Sequence, residues 1–185
     1  MRTIKHNGFL FTLFATLLMT LVVLPAAADG GKPAPPAPKV GTAIGNMAPD
    51  FTADNYHGGK VTLADHRGKV ILLDFWASWC GPCMHEVPTL AALKDRYPAD
   101  RFTIIGVSLD MEKTLPRMKK VIADNALDYP IPYDGKGWRN AVAAAYGIRS
   151  IPATFILDEK GVIVARNLRG KELVRKLDEL VTPKP

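Results

Sequence analysis

The stretch Val70-Ile71-Leu72-Leu73-Asp74-Phe75-Trp76-Ala77-Ser78-Trp79-Cys80-Gly81-Pro82-Cys83 decides how the rest of the chain is read. Its first seven residues form an apolar run broken only by Asp74, the pattern of a strand buried on both faces. Its last four hold the only two cysteines of the 185 residues. From Cys80 to Tyr97 the period becomes helical, with Cys83, Glu86, Val87 and Leu90 at i, i+3, i+4 and i+7 on one face. A strand thus delivers two thiols to the first turn of a helix. A bridge across so short a loop removes little entropy from the unfolded chain, which argues against a structural staple. The spacing suits a Cys80–Cys83 disulfide that opens and closes, and so thiol–disulfide exchange.

Outward from this stretch, Phe102 to Leu109 reads as a second buried strand, and Glu112 to Leu127 as a helix with Pro116 near its first turn. Pro130 to Asp134 is a short extended piece, and Trp138 to Tyr146 an alanine-rich helix ended by Gly147. Ala153–Leu157 and Val162–Arg166 are strands joined by the turn Asp158-Glu159-Lys160-Gly161. Lys171 to Val181 closes the domain as a helix. Towards the N-terminus, Ala48–Phe51 and Lys60–Leu63 form a predicted β-hairpin around Asn55-Tyr56-His57-Gly58-Gly59. The class is α/β, a mixed central sheet flanked by helices, with an N-terminal β-hairpin extension and a central insert between Leu109 and Trp138. Chemistry is expected where the first crossover helix leaves the carboxyl end of its strand.

The remaining N-terminal sequence is read as an export address. Arg2 and Lys5 precede sixteen uncharged residues, Phe9 to Leu24, then Pro25 and Ala26-Ala27-Ala28 before a cut at Asp29. An uncleaved anchor is the rival reading, although sixteen residues fall short of the roughly 17–25 of a spanning helix. Either way the domain is expected to be periplasmic or otherwise extracytoplasmic, and membrane-bound only if the segment is kept. Residues 29–44, rich in Pro and Gly, read as a linker, and 45–185 as the folded domain. The hydrophobic fraction of 48% supports one domain with a full core. The net charge of +6 comes without a basic run or an aromatic-interleaved basic stripe, so no nucleic-acid partner is expected.

At a helix N-terminus the unpaired amides and the macrodipole favour an anion, so Cys80 is the expected exposed attacker and Cys83 the resolving thiol. Gly81 leaves room for a bound partner, and Pro82 suits a first turn that needs no N–H. Asp74, alone among apolar residues, should have a raised pKa. Either Asp74 or Glu86 is placed to take the Cys83 proton. Trp79 offers a ring for partner contact beside the cysteines, and Trp76 packs beneath them. His85 does not directly follow Cys83, so the haem-attachment pattern is absent. His85 reads as a solvated helix residue, and His57 and His66 as turn residues.

Asp74 to Cys83 closely resembles the active-site stretch of the thioredoxin superfamily, and Gly147-Ile148-Arg149-Ser150-Ile151-Pro152 resembles its partner loop. The export signal, the early Ala48-Pro49-Asp50-Phe51, the central insert and Glu86 with Pro88 make the chain similar to the TlpA/ResA branch of exported thiol–disulfide oxidoreductases. The resemblance implies a thioredoxin fold, a cis Pro152, Ile151 presenting backbone groups to an extended client, and a helix kink at Pro88. It also implies proton handling by Glu86, no cofactor beyond the redox-active disulfide, and no metal. Two residues depart from the branch. Asp74 stands where many members carry asparagine, and Asn167-Leu168-Arg169-Gly170 lacks the usual glycine before this loop.

The expected function is reduction of disulfides in exported client proteins by a monomer that draws electrons from a transmembrane thiol donor. In this branch apocytochrome c, with its own paired cysteines, is a candidate client. The alternatives are a disulfide oxidase or isomerase, and a Cu(I)-delivery protein using the two soft thiolates. A peroxidase is disfavoured, because no cysteine precedes the strand–helix segment.

Overall fold

A computed structural model describes residues 38–181. The expected export segment and residues 29–37 of the linker lie outside the described residues. In chain order the elements are β1 (Thr52–Asp54), β2 (Lys60–Thr62), β3 (Val70–Trp76), α1 (Gly81–Arg96), β4 (Phe102–Ser108), α2 (Leu115–Asp124), α3 (Ala141–Ala145), β5 (Ala153–Leu157), β6 (Ile163–Arg166) and α4 (Gly170–Leu180). No helix among the described residues is long and apolar enough to cross a membrane.

β3 is buried at every position because it has a strand on each side. It pairs in parallel with β4 and antiparallel with β5, and β6 completes a mixed sheet in the order β4-β3-β5-β6. The crossover from β3 to β4 is α1, which buries Cys83, Val87, Leu90 and Leu93. α1 meets α4 at its far end, where Tyr97 and Arg96 both donate to the carboxylate of Asp178. On the other face of β3, Phe75 packs against Tyr146 and Phe155 at ring-centroid distances of 5.4 and 6.0 Å.

Both outer strands of the sheet are met by further chain. Gly106 and Ser108 of β4 donate backbone N–H groups to the carbonyls of Pro130 and Pro132, so the extended piece lies along β4. Its prolines have no N–H to return, and the indole N–H of Trp76 takes up the Gly106 carbonyl at 3.2 Å instead. A Cβ at residue 106 would meet Tyr129 at 2.8 Å and Trp76 at 3.1 Å, so glycine is required for this approach. The same piece bonds to the hairpin, with Tyr133 N–H on Asp54 and Tyr56 N–H on Ile131. The segment before β1 meets the start of β6, through Gly45 to Ile163, Ile163 to Asn46 and Ala48 to Gly161.

Four expectations need correction. The first hairpin strand is Thr52–Asp54 rather than Ala48–Phe51. Pro49 has no N–H, and the Asp50 carboxylate accepts from Phe51 and Ala64, which turns the chain before pairing starts. The helix expected over Trp138–Tyr146 is split, with a tight 3-10 turn at Gly137–Arg139 and then α3. Asn140 between them has ψ 130°, and its side chain accepts from Ala143 N–H at 3.0 Å, so it begins a new helix. The insert helix is a 3-10 turn, Glu112–Thr114, followed by α2, and it ends at Asp124. Packing begins ahead of Gly45, because Met47 and Lys39 are hydrogen-bonded across a turn.

Candidate active site

β3 ends at Trp76, and four residues later Cys80 caps α1 in an extended conformation. The Cys80 sulfur accepts the backbone N–H of Cys83 at 3.2 Å, occupying one of the unpaired amides of the first turn. The two sulfurs form a disulfide. Gly81 and Pro82 are exposed on the first turn, but Cys80 is only 6% exposed and Cys83 only 2%. Cys80 is therefore less open in the disulfide form than the sequence suggested, since its sulfur is turned towards the helix and bonded to Cys83.

The loop that presents Cys80 is fastened by a carboxylate. Asp110, fully buried just beyond β4, accepts from the Ser78 N–H at 2.8 Å and the Ser78 hydroxyl at 2.6 Å. Ser108 adds a third bond at 3.0 Å. Charge-assisted bonds to a buried carboxylate are strong and directional, so they fix where the loop before Cys80 can go. The sequence reading missed Ser78 and Asp110. The available signal was a carboxylate directly after the apolar run Phe102–Leu109.

Asp74 and Glu86 lie close enough for the charge of one to act on the other. Asp74 is 3% exposed, and burial pushes its carboxyl up to about 7, helped by the negative charge of Glu86 and opposed by Arg169. Glu86 is half-buried one turn beyond Cys83, and its Oε2 accepts the Gly170 N–H at 3.3 Å. Asp74 lies beside Gly106 of β4 and Thr154 of β5 in register.

The Ile151–Pro152 peptide is cis, as the resemblance implied, and Pro88 lies inside α1. Pro152 leads directly into β5 with its side chain buried, while Ile151 is half-buried. The carbonyl of Pro152 accepts from the guanidinium of Arg169, a residue the sequence reading noted only as part of a departure. Trp79 is half-buried and tilted against the exposed Trp138 at 6.1 Å between ring centroids, and its indole N–H is buried with no partner. Trp76 is 2% exposed beneath the loop, as expected. His85 is exposed on α1. Among the described residues, no group of three or more His, Cys, Asp or Glu side chains is placed to hold a metal.

Such a site can carry out two displacements at sulfur. A thiolate at Cys80 would be held by an amide and by the positive end of α1, and Glu86, whose charge acts on Asp74, lies one turn beyond Cys83 on the same helix.

The chain is similar to known proteins. Residues 44–166 match the AhpC/TSA family. The thioredoxin-like protein YneN of Bacillus subtilis is 38% identical over 144 residues, covering 76% of this chain and 82% of that protein. The thiol-disulfide oxidoreductase ResA of Geobacillus thermodenitrificans is 31% identical over 147 residues, 78% of this chain and 82% of its own length. Among solved structures, the thioredoxin domain of a thiol-disulfide oxidoreductase from Bacteroides vulgatus superposes with a TM-score of 0.64 at 33% identity, covering 76% of this chain and 99% of that one. A thiol-disulfide oxidoreductase from Bacteroides fragilis superposes with a TM-score of 0.66 at 32% identity, covering 74% and 100%.

Proposed function

The chain belongs to the AhpC/TSA family and is a thioredoxin-like thiol–disulfide oxidoreductase, and from that premise we propose that it works outside the cytoplasm as a reductase of disulfides in exported client proteins. The observation that carries the reading is the Cys80–Cys83 disulfide at the N-terminus of α1, directly after the strand that holds the buried Asp74, whose carboxyl is pushed up to about 7. In the reduced protein the Cys80 thiolate attacks one client sulfur. The Cys80–client bond forms and the client disulfide breaks, releasing one client thiolate. Cys83 then gives its proton to the Asp74–Glu86 pair and displaces the second client sulfur from Cys80, closing the internal disulfide. Two electrons have passed to the client, and a thiol donor must return them. Trp79, Gly81, Pro82, Ile151 and Pro152 form the surface on which the client lies, with the Ile151 backbone pairing to an extended segment. Apocytochrome c is the client class that the TlpA/ResA likeness brings forward.

Direction is tested by equilibrating the protein with glutathione and dithiothreitol buffers. A reductase is expected near roughly −270 mV, and a value above about −200 mV would assign the protein to oxidation or isomerisation. Clients are tested with Cys83→Ser, which should accumulate covalent adducts at Cys80 because nothing displaces them. Adducts appearing with Cys80→Ser and not with Cys83→Ser would reverse the order of attack.

A further inference from the structure

Four consecutive residues ahead of and at the start of α4 are each tied to the site. Asn167 donates its N–H to the carbonyl of Thr154 at 2.8 Å, with a positive φ of 56°. The carbonyl of Leu168 accepts the Thr154 hydroxyl at 3.0 Å. The guanidinium of Arg169 donates to the carbonyl of Pro152. Gly170 N–H donates to Glu86 at 3.3 Å. This segment therefore fastens the start of β5, the cis-proline carbonyl and the carboxylate of α1 together, and it carries one cation.

We infer that Arg169 is a positioning residue of the proton relay. Held on the carbonyl of Pro152, it keeps a fixed positive charge against the Asp74–Glu86 pair and so sets the pH range in which Cys83 resolves a mixed disulfide. The inference rests on the proposed Cys80–Cys83 reaction.

The groups that face Asp74 show why one cation matters. α1 contributes the carboxylate of Glu86, and the residue ahead of α4 contributes Arg169. The segment after α2 contributes the buried phenol of Tyr129, whose own ionisation Asp74 opposes. β5 contributes Thr154, and β4 contributes Gly106, neither of them charged. Arg169 is thus the one positive charge acting on Asp74 among these neighbours. A neighbouring carboxylate makes ionisation of a buried one harder, and a nearby cation offsets this. A guanidinium suits this role because it stays protonated over the whole working range and its planar fork can hold a carbonyl while its charge acts elsewhere.

The test uses the full-length reduced protein mixed with 5,5′-dithiobis(2-nitrobenzoate) in a stopped-flow instrument across a pH series. In the first phase Cys80 thiolate attacks the reagent and releases one thionitrobenzoate. In the second, Cys83 passes its proton to the acid pair and displaces the remaining thionitrobenzoate from Cys80, forming the internal disulfide. Arg169→Gln keeps a donor for the Pro152 carbonyl and removes the charge, whereas Arg169→Lys keeps the charge.

Arg169→Gln should move the lower pH limb of the second phase upward by about half a pH unit to one pH unit, slowing that phase roughly threefold to tenfold below the limb. The first-phase profile should stay in place, and Arg169→Lys should restore the second-phase limb. A second-phase limb in Arg169→Gln that coincides with the wild type would overturn the inference, as would a limb in Arg169→Lys displaced as far as in Arg169→Gln. A wild-type protein with no second phase dependent on Cys83 would instead overturn the dithiol reaction itself, and that failure is visible before any Arg169 variant is made.

Discussion

At the scale of one residue, Asp74 sets stability against chemistry. Its ordinary carboxyl value is about 3.9 in an unfolded chain. In the fold, burial first and the charge of Glu86 second push it up to about 7. The folded state therefore holds this proton more tightly than the unfolded state does. The associated stability is fully present below about pH 4 and is lost as the pH rises through about 7. Asp74→Asn removes the ionisation. It should stabilise the protein at about pH 8 by roughly 1 to 4 kcal/mol, since each tenfold gain in proton affinity on folding is worth about 1.4 kcal/mol, and have little effect near pH 4. The same variant should slow the Cys83 step if Asp74 takes its proton, because that carboxylate is gone. Urea titrations at the two pH values check the first part, and equal changes in midpoint would show that Asp74 is not held neutral by the fold. At this scale the chemistry was legible in part. Cys80, Cys83, Asp74 and Glu86 stand within one short stretch, so spacing revealed them. Arg169 and Asp110 did not stand out, because their partners Pro152 and Ser78 are 17 and 32 residues away and meet only through the sheet.

At the scale of elements, sequence period succeeded where burial is one-sided or complete and failed where side chains override it. β3, α1 and β4 carry strong apolar patterns and lie within a residue or two of their expected bounds. β1 could not be read from period, because two of its three residues are exposed and its place is set by pairing with β2, Thr52 opposite Thr62. The run Trp138 to Tyr146 is rich in helix formers, yet Asn140 divides it by capping Ala143. α3 has only five residues, too few to be stable without packing and a cap. It nonetheless supplies Val142 and Ala143 to the core and runs into Tyr146, which packs edge-on against Phe155 and tilted against Phe75. Asn140→Ala should therefore cost about 1 kcal/mol, up to about 2 because the site is buried. Asn140→Asp should recover much of the loss by keeping an oxygen acceptor. Thermal unfolding of the two variants measures this, and an Asn140→Ala protein with an unchanged melting temperature would show that Asn140 does not hold the start of α3.

At the scale of the whole molecule, the four-stranded sheet is short and would have two bare edges. Unpaired edge strands invite pairing between chains. β4 is covered by Pro130–Tyr133, and the start of β6 by Gly45–Ala48, the first residues of the expected domain. The second cover is made of three backbone hydrogen bonds, through Gly45, Asn46 and Ala48, together with the buried Ala48 side chain. Backbone bonds of this kind contribute roughly 0.5 to 1.5 kcal/mol each. A chain starting at Lys39 keeps them all, and a chain starting at Pro49 loses them all. The Pro49 chain should be less stable by a few kcal/mol, and should associate on warming through the freed edge of β6. Its disulfide chemistry should persist at low temperature, because Cys80, Asp74 and the Arg169 segment lie on elements that the cover does not touch. Hydrogen exchange locates the effect. Ile163 N–H, which donates to Asn46, should lose its protection in the Pro49 chain, while the amides of β3 keep theirs. If Ile163 stayed protected in the shorter chain, residues 45–48 would be a passive extension, and the edge of β6 would have to be guarded by something other than this pairing.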